Sequence, residues 1–510
     1  MNSKQIRDAG ILLHITSLPS PYGIGDLGRY AYRVADWMEK ADIRLWQLLP
    51  LNPTGFGNSP YAPRSTFAGN ELLLDLEVLQ YEGFLSAEDL SALPSFPEHK
   101  VDFTAVQHYK LPLLKKAALA FLDAGREKDQ AFLCFCKEQS FWLDDYALFM
   151  VLYEKFQDAR WFSHWPKEYA KRDYKALQEF SVSHAIEIAT WKVLQYFFAI
   201  QWDAFKHYAN EKQIKLVGDV PIFVAADSAD TWSNMHLFKT DGEGHFSAVS
   251  GVPPDIFSAT GQLWGNPVYD WKVLEKEEYQ WWIKRLERLF TMIDILRIDH
   301  FRGFDAYYEI PAGDKTAERG TWVHVDGVRF FKKVRKYFGS VPIIAEDLGL
   351  LTDSVEELRD TNGFPGMKIL QFGFSKDSEG KSNYYDDFLP HNWQENFVAY
   401  TGTHDNNTTL GWFQALDTQD RKMVLTYLDC SEDMVVKKMI RTLMLSCART
   451  AVIPMQDLLG KDEEARMNYP STCNDVNWSW RATLDEFSDA IAEELAHLVT
   501  ISARNGRLGI

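Results

Sequence analysis

Eight short apolar segments recur along the sequence, and most of them end in polar residues or in glycine and proline. Most are separated by stretches in which apolar residues return every three or four positions, as on one face of a helix. Strands that alternate with helices predict a parallel sheet, and eight repeats predict a (β/α)8 barrel. The eight segments are GILLHI (10–15), IRLWQLL (43–49), IKLVGDVPIFV (214–224), ILRIDHF (295–301), VPIIAEDLG (341–349), GMKILQFGF (366–374), NFVAYTGTHD (396–405) and AVIPMQDLLG (451–460).

The chain is much longer than such a barrel requires. A (β/α)8 barrel needs roughly 250 residues, whereas this sequence has 510, so we expect large insertions between its strands. Residues 1–70 are predicted to hold the first two strands, residues 71–214 a mainly helical insertion, and residues 215–510 the rest of the barrel. Within this last part, residues 225–281 form a second insertion. It carries a Gly/Pro-rich loop at 251–267 that is too apolar for a plain linker.

The charge balance narrows the range of partners. The sequence carries 54 Lys and Arg against 72 Asp and Glu, a net charge of −18, which repels phosphate backbones and anionic lipid. Nucleic acid and membrane surfaces are therefore poor candidate partners. The sequence has neither a membrane-spanning apolar stretch nor the pattern of a cleaved leader. Its five cysteines lack zinc-type spacing, so we expect reduced thiols and a cytoplasmic protein.

Three acidic residues stand where predicted barrel strands end. Asp299 lies in LRIDH, Glu346 in IIAED and Asp405 in GTHD. The carboxyl ends of barrel strands converge on one mouth, so we expect the three side chains to meet there. Cleavage of a glycosidic bond with retention needs a carboxylate that attacks the anomeric carbon and a carboxylic acid that protonates the departing oxygen. Taken one by one, each residue could instead cap the helix that follows it.

The neighbours of two of these residues favour opposite protonation states. Arg297 precedes Asp299 by two positions, so strand alternation puts both side chains on one face. The guanidinium favours the ionised carboxylate that a nucleophile requires. Glu346 follows the apolar run 343–345, a setting that raises a carboxyl pKa and keeps the group protonated for acid catalysis. The pattern predicts a nucleophile at Asp299 and a general acid at Glu346.

Seven segments resemble those of the amylomaltases, 4-alpha-glucanotransferases related to the alpha-amylases. The resemblance runs over nearly the whole chain, and the joint order and spacing of the segments are more specific than any one of them. About 50 residues follow the last predicted strand, so we expect no carboxyl-terminal β-sandwich of the alpha-amylase kind. The segments are ITSLPSPYGIGDLG (15–28), PLNPTGFGNSPYAPRSTFAGN (50–70), VGDVPIFVAADSAD (217–230), GVPPDIFSATGQLWGNP (251–267), RIDHFRGF (297–304), IIAEDLG (343–349) and YTGTHDNNTTLGW (400–412).

The resemblance assigns catalytic roles to residues of this sequence. It implies that Asp299 is the nucleophile and that Glu346 is the general acid/base. It also implies that His404 and Asp405 stabilise the transition state, and that Arg297 is the arginine that stands beside the nucleophile. No cofactor is expected.

Further side chains are expected to bind the sugar. The sugar-contacting tyrosine of the family corresponds to Tyr61, and the aspartate of its third strand corresponds to Asp219. His300 and His404 each stand beside an acid and could be metal ligands, but a histidine at a strand end more often forms hydrogen bonds. We therefore expect no metal, and we count both histidines among the substrate-binding residues.

The 251–267 loop supplies the remaining candidates. Trp264 could stack on a sugar ring or anchor the loop in the core. Gln262 and Asn266 could hydrogen-bond a sugar or simply form turns. Together with Phe257, these residues predict a cover over the acceptor site that favours transfer over hydrolysis.

The predicted activity is disproportionation of alpha-1,4-glucans in starch, glycogen or maltodextrin metabolism, with maltooligosaccharides and glucose as donors and acceptors. An alpha-amylase-like hydrolase would use the same carboxylates, because water and a sugar hydroxyl are activated alike. A non-catalytic glucan-binding protein would use the aromatic groove alone. A metal-dependent barrel enzyme would lose its activity in a chelator.

Overall fold

The computed structural model describes residues 6–241, 243–254, 258–349, 351–377 and 379–506. Within these residues the chain forms two sheets, one of eight strands and one of four. The strands are β1 (Asp8–Leu12), β2 (Leu45–Gln47), β3 (Lys215–Pro221), β4 (Ala248–Val252), β5 (Gln262–Pro267), β6 (Ile295–Asp299), β7 (Ala306–Pro311), β8 (Thr321–His324), β9 (Ile343–Ala345), β10 (Gly366–Ile369), β11 (Phe397–Tyr400) and β12 (Thr450–Pro454).

The larger sheet is a nearly closed parallel barrel. Its strand order is β10-β11-β12-β1-β2-β3-β6-β9, and neighbouring strands run parallel. The backbone N–H of Ala345 donates to the carbonyl of Pro365 at 2.9 Å, which brings β9 against the start of β10. Each of the eight strands overlaps one of the predicted segments, so the predicted barrel is confirmed.

Helices surround the barrel and fill the long connections. The predicted helical stretches between the strands are confirmed, among them the helices Arg29–Lys40 and Gln280–Met292. In the described part of the chain, no helix has the length and apolar character needed to cross a membrane. The helices are α1 (Arg29–Lys40), α2 (Leu76–Tyr81), α3 (Phe103–Asp123), α4 (Gln130–Glu138), α5 (Ser140–Phe156), α6 (Trp161–His164), α7 (Lys167–Ala170), α8 (Tyr174–Ser183), α9 (Ala185–Glu211), α10 (Ala229–Ser233), α11 (Trp271–Lys276), α12 (Gln280–Met292), α13 (Gly327–Phe338), α14 (Asp353–Thr361), α15 (Thr409–Ala415), α16 (Thr418–Leu428), α17 (Val435–Leu445), α18 (Met455–Leu458) and α19 (Asp489–Ile501).

The connection between β2 and β3 is helical, with α2 to α9 in residues 71–214. Asp102 caps the first turn of α3, because its carboxylate accepts the N–H of Ala105 at 2.9 Å. The long helix α9 joins this insertion to the barrel, and its Trp202 indole donates to the carbonyl of Met292 at 2.9 Å. The division of the chain at residues 70 and 214 into separate units stays a prediction.

The second sheet was not predicted. It is antiparallel, with the order β5-β4-β7-β8, and it corrects the prediction of a loop at 251–267, because residues 262–267 form the edge strand β5. Glycine and proline weaken a strand pattern. Here Gly265 takes a left-handed φ of 78°, and Pro267 stands at the end of an edge strand, a position where sheets tolerate proline.

Candidate active site

Arg297 lies at the centre of the barrel mouth between two carboxylates. Strands β3 and β6 pair so that Asp219 is the register partner of Arg297, and Arg297 is 3% exposed. Its Nη1 donates to both oxygens of Asp219 at 2.8 and 2.6 Å. Its Nη2 lies 2.9 Å from Oδ1 of Asp299. The strand pairing thus explains the buried arginine, because its guanidinium pairs with carboxylates on two neighbouring strands.

Tyr61 approaches this centre from the connection after β2. Its hydroxyl donates to Oδ2 of Asp219 at 2.7 Å, and its ring stacks on that of His404 with centroids 5.0 Å apart. The Trp478 ring lies 5.7 Å from Tyr61 and 5.9 Å from His404. The three rings form one wall of the site.

Glu346 follows β9 and is held by two backbone N–H groups. The N–H of His300 donates to Oε2 at 2.6 Å, and that of Leu348 donates to Oε1 at 3.0 Å. Burial, together with the charge of Asp299, raises the pKa of Glu346 to about 8. The carboxyl group is therefore mostly protonated at neutral pH, as a general acid requires.

His300 has a left-handed backbone, with φ 54° and ψ 50°. A non-glycine residue in this region stores strain, and such residues cluster at functional sites. Here the conformation accompanies the hydrogen bond from the His300 N–H to Glu346. Burial lowers the pKa of the His300 imidazole to about 4, so the ring is neutral. The Trp264 ring meets it edge-on at 4.7 Å.

Asp405 is fixed by three groups. Its carboxylate lies 3.3 Å from Nε2 of His404 and accepts the Asn468 amide at 2.6 Å, while Arg466 donates to its backbone carbonyl at 2.8 Å. Burial alone would raise the pKa of Asp405, but His404 and Asn468 hold it well below the ordinary value. Asp405 is therefore a permanent anion, in contrast to Glu346.

Three candidates of the 251–267 segment, Gln262, Trp264 and Asn266, lie on β5. Trp264 is 38% exposed, and its indole N–H donates to the Gln262 side chain at 3.2 Å. The Asn266 amide donates to the carbonyl of Val224 at 3.1 Å, so it ties β5 to the segment after β3. Phe257 lies outside the described residues.

The chain matches a family of known sequences over most of its length. The profile of the 4-alpha-glucanotransferases matches residues 13–485. A 4-alpha-glucanotransferase from Streptococcus pneumoniae is 45% identical over 98% of this chain and 97% of its own length. The chain belongs to the 4-alpha-glucanotransferase family. Another member of this family, from Thermus thermophilus, is 45% identical over 94% of the present glucanotransferase and 96% of its own length.

A solved structure shares the fold of this glucanotransferase. The amylomaltase from Streptococcus agalactiae, determined in complex with acarbose, superimposes with a TM-score of 0.92 at 38% identity. The match covers 98% of this chain and 99% of that one. The recognition of an amylomaltase from its sequence segments is therefore confirmed, as is its classification as a hexosyl-transferring enzyme.

Sequence reasoning missed four residues of this glucanotransferase site. His14 follows β1 at the barrel mouth, and Arg466, Asn468 and Trp478 come from the irregular segment that follows α18. This segment has no strand or helix periodicity that would direct attention to it. The one available signal is the pair of tryptophans in NWSW at 477–480, which is unusual in so polar a stretch.

The structure does not bring the acidic residues together as metal ligands. Among the described residues, no group of three or more His, Cys, Asp or Glu side chains is placed to hold a metal ion. Asp299, Glu346 and Asp405 instead each engage protein donors.

Proposed function

We propose that the enzyme disproportionates alpha-1,4-glucans by double displacement through a covalent glucosyl intermediate on Asp299. One observation carries the proposal. The Asp299 carboxylate is ion-paired to buried Arg297 at 2.9 Å. Glu346 accepts a hydrogen bond from His300, the residue after Asp299, and its pKa is raised to about 8. A charged nucleophile beside a protonated acid is the arrangement that retaining transfer requires.

In the first step, Asp299 attacks the anomeric carbon of the donor. Glu346 gives its proton to the glycosidic oxygen, and the reducing-end fragment leaves with a free 4-hydroxyl group. The bond from the anomeric carbon to the leaving oxygen breaks as the bond to Asp299 forms. Arg297 supports this step, because its ion pair holds the attacking carboxylate in place.

In the second step, the 4-hydroxyl of another glucan or of glucose attacks the same carbon. Glu346, now a carboxylate, takes the hydroxyl proton, and Asp299 departs as the free carboxylate. The enzyme then returns to its starting protonation state. No cofactor is needed to balance either step.

The surrounding residues would stabilise the positively charged transition state and bind the sugar. Asp405 is anionic and fixed by His404 and Asn468, so it suits the hydroxyl groups of the glucosyl ring as positive charge develops. Tyr61 and Asp219 form a hydrogen-bonded pair beside Arg297. They would define the position of the same ring.

Residues of β5 and His300 would form the acceptor side. Trp264 is partly exposed and touches His300, so its ring is available to a sugar face. Gln262 lies beside it, and Asn266 would act by anchoring β5. We propose that these groups orient the acceptor hydroxyl and so favour sugar over water.

We also propose that the enzyme works in the cytoplasm on maltodextrins. The S. agalactiae amylomaltase binds acarbose, and the five cysteines of the present chain are free. Free thiols fit a reducing compartment. The net charge of −18 disfavours anionic partners.

Product analysis from maltotriose tests the proposed function. Transfer should release free glucose together with maltopentaose and longer chains, whereas hydrolysis should yield only maltose and glucose. Asp299→Asn should abolish both, and a matched change of an exposed aspartate on α9, Asp203→Asn, should abolish neither. If the parent enzyme forms only shorter sugars, its reaction is hydrolysis and the proposed transfer is refuted. An Asp299→Asn variant with full activity would remove the assigned nucleophile.

A further inference from the structure

A small cavity is lined by His404 and by residues that precede and follow Asp405 in the chain. Its volume is about 20 Å³, and roughly 10–15 Å³ is enough for one water molecule. The walls come from the ends of β1, β11 and β12 and from the segment with Arg466 and Met467. His404 itself is one of the lining residues.

Three of the lining residues each carry a buried side-chain atom that has no protein partner among the described residues. These atoms are Nδ1 of His14, Oγ of Ser17 and Oδ1 of Asn407. A buried polar atom without a hydrogen bond costs roughly 1–3 kcal/mol. Three such atoms on the residues that line one cavity are therefore unfavourable unless a small polar molecule in the cavity bonds to them.

The chemistry of the three atoms suits water. Ser17 can donate or accept, and the Asn407 oxygen can only accept. Burial, with the nearby charge of His404, lowers the pKa of His14 to about 3, so its neutral ring offers one donor and one acceptor nitrogen. A buried water makes two to four hydrogen bonds, which matches the number of waiting partners.

The cavity also touches the turn that carries Asp405. Asn407 stands two residues after Asp405, and its carbonyl already accepts the Gln371 amide at 3.0 Å. A water held by its side chain would fix the other side of the same turn. Such a water would connect His14 to the turn that carries Asp405 without direct contact between the two residues.

We propose that this cavity is a specific water site and that His14 is a positioning residue for the His404–Asp405 pair. The first part stands on the cavity and its three polar atoms. The second part rests on the function proposed above. His14 acts by holding the water that fixes the turn after β11, and it takes no part in proton transfer.

Four variants test the positioning role. His14→Leu removes the polar ring, and we expect kcat on maltotriose to fall about 10- to 100-fold with KM within about 2-fold, because a small displacement of a catalytic group has this effect. His14→Gln restores a donor and an acceptor and should recover most of kcat. Ser17→Ala removes one partner of the water, and its kcat should lie between those of His14→Leu and His14→Gln. Ser502→Ala, which deletes a buried hydroxyl at the end of α19, should match the parent.

The outcomes separate the alternatives. A rise in KM with kcat unchanged would mean that His14 contacts substrate, and a His14→Gln variant as poor as His14→Leu would mean that the imidazole itself is required. Either result overturns the positioning role, as does parent activity in a folded His14→Leu variant. If His14→Leu does not fold, Ser17→Ala must show the loss of kcat or the role is refuted.

A high-resolution crystal structure of the parent tests the water site directly. We expect density for a water within about 3.2 Å of His14, Ser17 and Asn407. A cavity without that density refutes the site. A parent that fails to disproportionate maltotriose would refute the proposed function alone, because the crystallographic result does not depend on it.

Discussion

Oε2 of Glu346 accepts a hydrogen bond from the backbone N–H of His300 at 2.6 Å. His300 directly follows Asp299 along the chain, so this bond ties the candidate acid to the backbone that carries the candidate nucleophile. Retaining enzymes hold these two carboxyl groups about 5–5.5 Å apart. The separation therefore depends on rigid backbone as well as on side-chain rotamers, which suits a site that must reproduce one geometry at every turnover.

The elevated pKa of Glu346 predicts an alkaline limit to activity. The group must carry a proton to serve as the acid, and its pKa of about 8 means that the proton is present below this pH and lost above it. We expect kcat/KM for maltotriose to fall tenfold per pH unit above about pH 8. Initial rates from pH 6 to 10 measure this limb.

A donor with an activated leaving group provides the control for this limb. Fluoride leaves without protonation, so the formation of the covalent maltosyl intermediate from alpha-maltosyl fluoride should not follow the same limb. Glu346→Gln should also lose far less activity on the fluoride than on maltotriose. Equal alkaline limbs for both donors would assign the limb to another group.

Replacement of Arg297 should damage both catalysis and stability. Arg297→Ala leaves the buried Asp219 and the adjacent Asp299 without their shared counter-charge. Breaking a buried pair in this way costs about 3–5 kcal/mol, and we expect kcat to fall at least 100-fold. Denaturant unfolding followed by tryptophan fluorescence measures the first effect, and maltotriose assays measure the second.

The double variant Arg297→Ala/Asp219→Asn separates the two effects. It removes the orphaned charge on Asp219, so much of the lost stability should return. Activity should not return, because Asp299 still lacks its partner. Recovery of activity with stability would mean that Arg297 acts only through the fold.

Trp264 should influence the choice between sugar and water. Its ring is partly exposed beside His300, where it can orient an acceptor. Trp264→Ala should therefore lower transfer more than hydrolysis, with several-fold more of the intermediate lost to water. The measurement is glucose transferred against new reducing ends on maltotriose. If both rates fall by one factor, Trp264 supports general binding or the fold.

The barrel was predictable from the sequence because each of its eight strands is a short apolar run. The antiparallel sheet was not, since β5 contains Gly265 and ends at Pro267. Its strand character comes from pairing with β4, a contact that no local pattern encodes.

Some contacts of the candidate site were likewise predictable from the sequence, and others were not. Arg297 and Asp299 were recognisable because strand alternation puts them on one face. The pairing of Arg297 with Asp219 depends on the register between β3 and β6, which the pattern of apolar residues does not determine. Asn468 reaches Asp405 from 63 residues away, and nothing in the local sequence predicts such a contact.

A buried glutamate outside the site should make stability depend on pH. Glu71 is 9% exposed, and its Oε2 has no hydrogen-bond partner among the described residues. Burial raises its pKa from 4.5 to about 7. The folded protein therefore keeps this proton where the unfolded chain has released it. The stabilisation is full below pH 4.5 and is lost as the pH rises through 7.

Glu71→Gln keeps the shape and removes the charge, so the variant should gain stability over the parent as the pH rises. At 1.36 kcal/mol per pKa unit, we expect the difference in unfolding free energy to grow by roughly 2 kcal/mol from pH 5 to pH 8. Glu138→Gln, at an exposed position on α4, is the matched control and should show no such trend. Denaturant titrations at the two pH values give both differences. A constant difference for Glu71→Gln would mean that Glu71 is already ionised at pH 5, with Arg64 and Lys115 outweighing its burial.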